Sequence, residues 1–362
     1  MSNIVFILGA GASKEAGAPL MNEFLDVSEN LLKVGDLGAS YNSFKKVFDA
    51  IGNLQLVHSK AQLDIQNIES IFAAFEMAKT LDSFPGQSPD NIDNLIKSLK
   101  IVIVETLQRT IRLEKSEGSV KPPETYARFT DMLVHLKDSA IPNHSVSVIT
   151  FNYDMALDYA LHFHGINYDY SIEESNKDDA IPILKLHGSL NWAHCSQCDK
   201  VIPVNLKDYF NKGNISFDIP QIKDAILDIG TKLDKNKHCG LNLDKEPVLV
   251  PPTWHKEDYY RTISNVWRRA ASELSEAENI FVIGYSLPKS DAFFRYLYAL
   301  GTVSQTPLKH FCVFNPDDSG EVKSRFEDLL GPGAKARFRY IPYKFSEAIS
   351  LIKGRFTEES KI

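Results

Sequence analysis

The sequence predicts an α/β protein: a Rossmann-like, doubly wound parallel sheet with a large helical insertion and a small Cys-containing insertion. Three observations predict it. Short β-branched runs are nearly continuous in apolar character, the pattern of strands covered on both faces. Helical stretches lie between most of them. Five of the runs end in polar turns, and a parallel sheet gathers such turns along one edge.

The runs are Asn3–Leu8, Ser145–Phe151, Ile181–Leu186, Asn279–Ile283, His310–Phe314 and Arg337–Ile341. More than a hundred residues separate the first two, too many for one crossover helix. Ile68, Ile71, Phe72 and Phe75 fall at helical spacing, so Ile65–Leu81 reads as a helix and Leu95–Leu113 as a second. Pro85-Gly86 and Ser88-Pro89 break the two apart. Residues 1–20 and 145–356 are therefore expected to form the core. Residues 21–144 form a helical insertion beside the sheet, and 194–250 a smaller insertion, read as the remnant of a zinc ribbon. Thr357–Ile362 reads as a frayed polar tail.

Composition bounds the function. The chain has 362 residues, 43% of them apolar and 24% charged, which excludes general disorder, a coiled coil, a collagen and a disulfide-stapled scaffold. Lys plus Arg number 40 against 47 Asp plus Glu, a net charge of −7 that argues against direct nucleic-acid binding through bulk charge. No apolar run approaches the ~18 residues of a membrane span. Ile4–Leu8 is too short for a signal-peptide core, so a cytoplasmic protein is expected. Of four cysteines, Cys195, Cys198 and Cys239 share one region and Cys312 stands apart, which suggests a metal site before a disulfide.

The polar turns carry the chemistry. Gly9-Ala10-Gly11-Ala12-Ser13, followed by Gly17-Ala18-Pro19, places glycines where backbone amides can approach a pyrophosphate. Lys14 replaces the third glycine of the ordinary dinucleotide fingerprint, which disfavours a dehydrogenase. A tight turn with no ligand is the competing reading. Thr150-Phe151-Asn152-Tyr153-Asp154 precedes a helix over Met155–Phe163. Asn152 offers one acceptor and two donors and Asp154 a charge, though both residue types are also good helix caps. In Leu186-His187-Gly188-Ser189-Leu190-Asn191-Trp192, His187 projects from a strand end and can serve as a general base or as a structural histidine. Gly284-Tyr285-Ser286-Leu287-Pro288 partly imitates an esterase nucleophile elbow, but Pro288 replaces its last glycine. Asn315-Pro316-Asp317 is the fifth turn.

In this order, GAGAS, TFNYD, LHGSLNW, a Cys-x-x-Cys, VIGYSL and FNPDD resemble the sirtuin-like superfamily. The resemblance is to the NAD-hydrolase domains of bacterial anti-phage defence, in particular the stand-alone subunit paired with a HerA-type ATPase. It implies cleavage of the nicotinamide–ribose bond of NAD+ to nicotinamide and ADP-ribose. Carried over by position, Gly9, Ala10, Gly11, Ala12 and Ser13 line the pyrophosphate. Asn152 and Asp154 sit at the nicotinamide ribose, and His187 is the catalytic histidine. Gly284, Ser286 and Asn315 hold the distal ribose and adenine.

Two departures separate the chain from the deacylases of that superfamily. Gly17-Ala18-Pro19-Leu20-Met21-Asn22 replaces their Gly-Ile-Pro-Asp-Phe-Arg, and Asn236 replaces the first cysteine of their second pair. A Cys3His set of Cys195, Cys198, Cys239 and His238 is the candidate zinc site, with vicinal His238 and Cys239 as awkward co-ligands. An NAD-dependent protein deacylase and a catalytically silent NAD or ADP-ribose-binding module are the alternatives. An unregulated NAD hydrolase would harm its cell, and the sequence ends soon after its last strand. The resemblance implies control by a homo-oligomer and a HerA-type partner.

Overall fold

The computed structural model describes residues 2–359 apart from 56–62, 87, 89–90, 117–118, 139–143, 174–178, 212–223, 251–256, 290 and 303–305. The strands that place the site are β1 (Ser2–Leu8), β2 (His144–Thr150), β3 (Tyr168–Asp169), β4 (Ile181–Lys185), β5 (Gly188–Cys195), β6 (Lys200–Pro203), β7 (Pro247–Leu249), β8 (Ala277–Ile283), β9 (His310–Phe314) and β10 (Phe338–Ile341). Seven of them form one sheet in the order β10-β9-β8-β1-β2-β4-β3. Every pairing in it is parallel. From β1 the chain winds first toward β2 and later returns to β8 on the other side, so β1 marks the topological switch point.

All six apolar runs of the sequence are strands of this sheet. Ile4 to Leu8 are each at most 1% exposed, which requires cover on both faces. Part of it comes from α6 (Glu124–Asp138), whose Phe129 meets Phe6 edge-on at 5.2 Å. Phe345 of the C-terminal helix Phe345–Glu359 closes on Phe129 and Tyr126 at 5.2 and 5.3 Å. That helix continues through the expected tail to Glu359, and 360–362 lie outside the described residues. The two-residue β3 was missed, being too short to carry a period.

The LHGSLNW segment differs from the polar turn expected of it. Leu186 and His187 alone turn the chain, and β5 begins at Gly188, antiparallel to both β7 and β6. Glycine is required there: φ is +86°, and a Cβ would lie 2.0 Å from the Val248 carbonyl oxygen.

The helical block comprises α2 (Phe24–Val34), α3 (Tyr41–Gln55), α4 (Ile68–Leu81) and α5 (Ile92–Thr110). α4 starts at Ile68 because the Asn67 side chain caps it, accepting from Glu69 N at 2.8 Å. Its buried face is Ile68, Ile71, Phe72 and Phe75. Pro89, expected as a breaker between α4 and α5, lies outside the described residues. The block is not purely helical. Leu113–Ser116 pairs with Ser119–Lys121 and, across the chain, with Asp224–Ala225. The helices share one apolar core with the Cys-containing region, including Leu190, Ala193, Leu233 and Leu249, whereas α6 belongs to the core of the sheet. Among the described residues no helix is long and apolar enough to cross a membrane.

Candidate functional site

Register places the polar turns side by side. Thr150 pairs with Lys185, Leu8 with both Thr150 and Ile283, and Ile283 with Phe314. The hydrogen bonding continues beyond the strand ends: Phe151 N donates to Leu8 O, Leu186 N to Thr150 O, Gly9 N to Ile283 O and Gly284 N to Phe314 O. Gly9, Asn152, His187, Gly284 and Asn315 therefore leave four neighbouring pairings at one level, the carboxyl edge where open α/β sheets bind ligands.

A four-residue hydrogen-bond hub joins two of these turns to α6. Ser13 Oγ donates to Asp154 Oδ2 at 2.7 Å and accepts from Asn152 Nδ2 at 3.0 Å. Its single proton is thereby used, so the Tyr126 hydroxyl, 2.7 Å away, is the donor of that pair. Burial pushes the Tyr126 hydroxyl far above its usual range, which keeps that proton in place. Asn152 Nδ2 also donates to Gly9 O at 2.9 Å. Both amide hydrogens are thus committed inward, and Oδ1 is the polar atom that Asn152 retains for a ligand.

Asp154 is committed as well. Its Oδ1 accepts from Ala156 N at 3.0 Å, at the start of α7 (Ala156–Phe163), and the residue is 5% exposed. Burial raises its pKa, against the lowering by Ser13 and Lys185. Its geometry is that of a group that holds the loop. Ser13, carried over to the pyrophosphate, is buried and fully bonded, so it too holds the loop.

Beneath the loop lies an ion pair that sequence reasoning missed. Lys185 Nζ bonds Asp158 Oδ2 at 2.8 Å, Ser189 Oγ at 2.8 Å and the Asp154 carbonyl at 2.7 Å, with both charged side chains buried. Tyr170 donates to the other Asp158 oxygen, and Asn191 Nδ2 donates to Tyr170 Oη at 3.1 Å. A lysine inside the apolar run Ile181–Leu186 was the available signal: a charge on a covered strand must find a buried partner.

The glycines serve close packing. A Cβ on Gly9 would lie 2.5 Å from Tyr285 Cα, and one on Gly284, where φ is +64°, would lie 2.3 Å from Ala12 N. Gly11 N donates to Gly284 O at 2.9 Å and Ala12 N to Gly9 O at 2.9 Å. The amides of Gly9, Gly11 and Ala12 are therefore bonded within the protein, which differs from the pyrophosphate-facing role expected of them. Ala10 opens α1 (Ala10–Lys14) and is half-buried at this edge. Asn315 Oδ1 closes its own turn onto Asp317 N at 3.0 Å, and the half-buried Ser286 offers its carbonyl to Arg325 at 3.2 Å.

His187 is 4% exposed and sits among aromatic rings. Phe151 meets it edge-on at 5.1 Å and stacks on Tyr285 at 4.1 Å and 8°. Its Nε2 lies 3.5 Å from Asp291 Oδ1.

The sulfur ligands form a separate centre at the opposite end of β5. Cys195 and His187 are eight residues apart, at most about 27 Å along an extended strand. The ligand atoms of Cys195, Cys198, His238 and Cys239 all lie within 4.8 Å of one another. His238 Nδ1 is 3.5 Å from Cys198 Sγ and 3.3 Å from Cys239 Sγ. A tetrahedral zinc with bonds of ~2.3 Å to sulfur and ~2.0–2.1 Å to nitrogen requires a separation of about 3.6 Å, so the donors fit. The vicinal pair converges because Cys239 takes a left-handed conformation, φ 49°. Hydrogen bonding with His238 lowers the Cys195 thiol to about 6, toward the thiolate a metal needs.

Comparison with known proteins finds a family model that matches part of the chain. Residues 146–229 match the family model of the SIR2-like domain. That span holds Asn152, Asp154, His187 and the first cysteine pair. Over 99% of this chain, the fold resembles a Sir2 homologue in complex with NAD (15% identity, 90% of that chain, TM-score 0.46). It also resembles a mutant Sir2 homologue in complex with ADP-ribose (16% identity, 99% of this chain, 94% of that chain, TM-score 0.44). A third similar structure is Sir2Tm bound to a propionylated peptide (15% identity, 98% of this chain, 93% of that chain, TM-score 0.39). No curated protein matches the chain.

Proposed function

We propose that the chain is an NAD+ glycohydrolase. The observation that carries this reading is the pinned amide of Asn152, which leaves its carbonyl oxygen for a ligand at the end of the strand next to the one that His187 follows. The SIR2-like match over the same segment supports it.

The chemistry asks for this arrangement. The bond between C1′ of the ribose and the pyridinium nitrogen breaks with its electron pair going to nitrogen, so nicotinamide leaves neutral and unprotonated. Positive charge grows on the ribose, as in glycoside cleavage. Asn152 Oδ1 accepts from a ribose hydroxyl or from the attacking water and fixes its position. Water oxygen bonds to C1′, and His187 takes the proton it loses. Asp154, Ser13 and Tyr126 hold Asn152 in place, and Ala10 and Ser286 border the cleft toward the pyrophosphate and distal ribose. Zinc is the proposed occupant of Cys195, Cys198, His238 and Cys239, where it would staple the chain far from the reacting bond. Homo-oligomerisation, a HerA-type ATPase partner and an anti-phage role through NAD depletion rest on the family resemblance.

The test is nicotinamide release from NAD+, with the chain alone and with its ATPase partner and DNA. Asn152→Ala and His187→Ala should each lower kcat by on the order of 10²–10⁴-fold. Equal turnover by wild type and both variants overturns the reading. NAD-induced thermal stabilisation without any turnover replaces it with a silent binding module.

A further inference from the structure

We infer that Asp291 is a positioning residue for His187, forming with it a buried carboxylate–imidazole pair. The inference rests on the hydrolase reading and extends it to a residue that motif matching does not reach.

Three observations carry it. Asp291 stands at the N-cap position of α8 (Ala292–Gly301), and aspartate is among the best capping residues, yet its side chain makes no cap hydrogen bond. The carboxylate turns toward the strand ends instead. Oδ2 accepts from the Tyr285 hydroxyl at 2.6 Å, and Oδ1 lies 3.5 Å from His187 Nε2. Second, both partners are almost fully buried, at 1% and 4% exposure, and His187 Nε2 has no hydrogen-bond partner among the described residues. A buried polar nitrogen without a partner is costly, and catalytic hydrogen bonds are often long until substrate arrives. Third, the residue that fixes Asp291 also fixes His187. Tyr285 bonds the carboxylate and stacks on Phe151, whose ring meets the imidazole edge-on.

The chemical consequence follows from the ring. With Nε2–H directed at Asp291, the neutral imidazole carries its lone pair on Nδ1. Nδ1 is then the atom that takes the proton from water as its oxygen bonds to C1′ and nicotinamide departs. The carboxylate stabilises the charge that the ring acquires and is not itself protonated, the role of the orienting acid in a catalytic triad. Phe151, Tyr285 and Phe294, the last edge-on to both other rings at 5.3 and 5.4 Å, keep water from the pair.

The experiment uses full-length protein with 15N-labelled histidine. Wild type should show His187 as the Nε2–H tautomer, and Asp291→Asn should lose that preference. In the NAD assay Asp291→Asn should lower kcat on the order of 10²–10⁴-fold with KM unchanged, and Asp291→Glu should recover part of the loss. Added to His187→Ala, Asp291→Asn should cost nothing further, because it acts through the ring. An Nδ1–H tautomer in wild type, a wild-type kcat in Asp291→Asn, or full additivity with His187→Ala overturns the pair. Should Asp291→Asn fail to fold, the wild-type tautomer and Asp291→Glu decide. Absence of NAD turnover in wild type defeats the hydrolase reading alone, since the tautomer is measured without turnover.

Discussion

The strand-end cleft and the cysteine knuckle solve the same problem of gathering polar side chains in opposite ways. In the cleft, Ser13 lies more than a hundred residues from Tyr126, Asn152 and Asp154, and each donor meets an acceptor of the protein's own. In the knuckle, Cys195, Cys198, His238 and Cys239 come from two short segments, and four ligand atoms face one another. The cleft is closed by hydrogen bonds already made. The knuckle gathers donors with the spacing of a coordination shell, so an ion would complete it. The difference teaches that the cleft's shape belongs to the sheet, whereas the knuckle has the donor set and spacing of a coordination shell.

Lys185→Met strikes the cleft hardest. It leaves the Asp158 carboxylate buried without its cation, and loss of one partner from such a pair costs about 3–5 kcal/mol. Chemical denaturation should read that loss, and a variant as stable as wild type would show that the cleft floor does not rest on the pair. Ser13→Ala comes next. It takes one hydrogen bond from Asp154 and frees Tyr126 and Asn152, an expected loss of about 1–3 kcal/mol, and nicotinamide release should fall with it because Asn152 Nδ2 keeps only Gly9 as its fixed partner. Unchanged release would separate the hub from function.

The smallest effect at the cleft is expected from metal removal. A chelator should extract about one zinc per chain, read by elemental analysis, and lower the melting temperature while NAD affinity stays unchanged. A chelator that abolishes NAD binding would mean that the two regions are coupled through β5 and that the contrast between them is too sharp.

Much of the cleft was legible in the chain because parallel strands announce themselves by uninterrupted apolar runs. The turns that follow them must then meet at one edge. Asn152 and His187 were readable on that ground. Ser13 was readable as a member of the site but not as a buried hub, because nothing in GAGAS says which side chain faces inward. Tyr126 lay in an amphipathic helix with no distinguishing neighbour. Asp291 lies outside every motif read from the sequence, and only its unused capping geometry sets it apart. The Cys3His set was legible by residue type. Its awkward step, adjacent His238 and Cys239, is resolved by the left-handed turn at Cys239, a dihedral that no side-chain pattern reveals.

By itself the sequence determined the layered α/β architecture, the six long strands and the edge at which polar groups gather, because burial on both faces leaves a periodic record in residue type. Tertiary structure alone decided which polar atoms are spent inside the protein and which remain for a ligand. Hydrogen bonds between distant segments depend on register and on approach within ångströms, and residue type records neither.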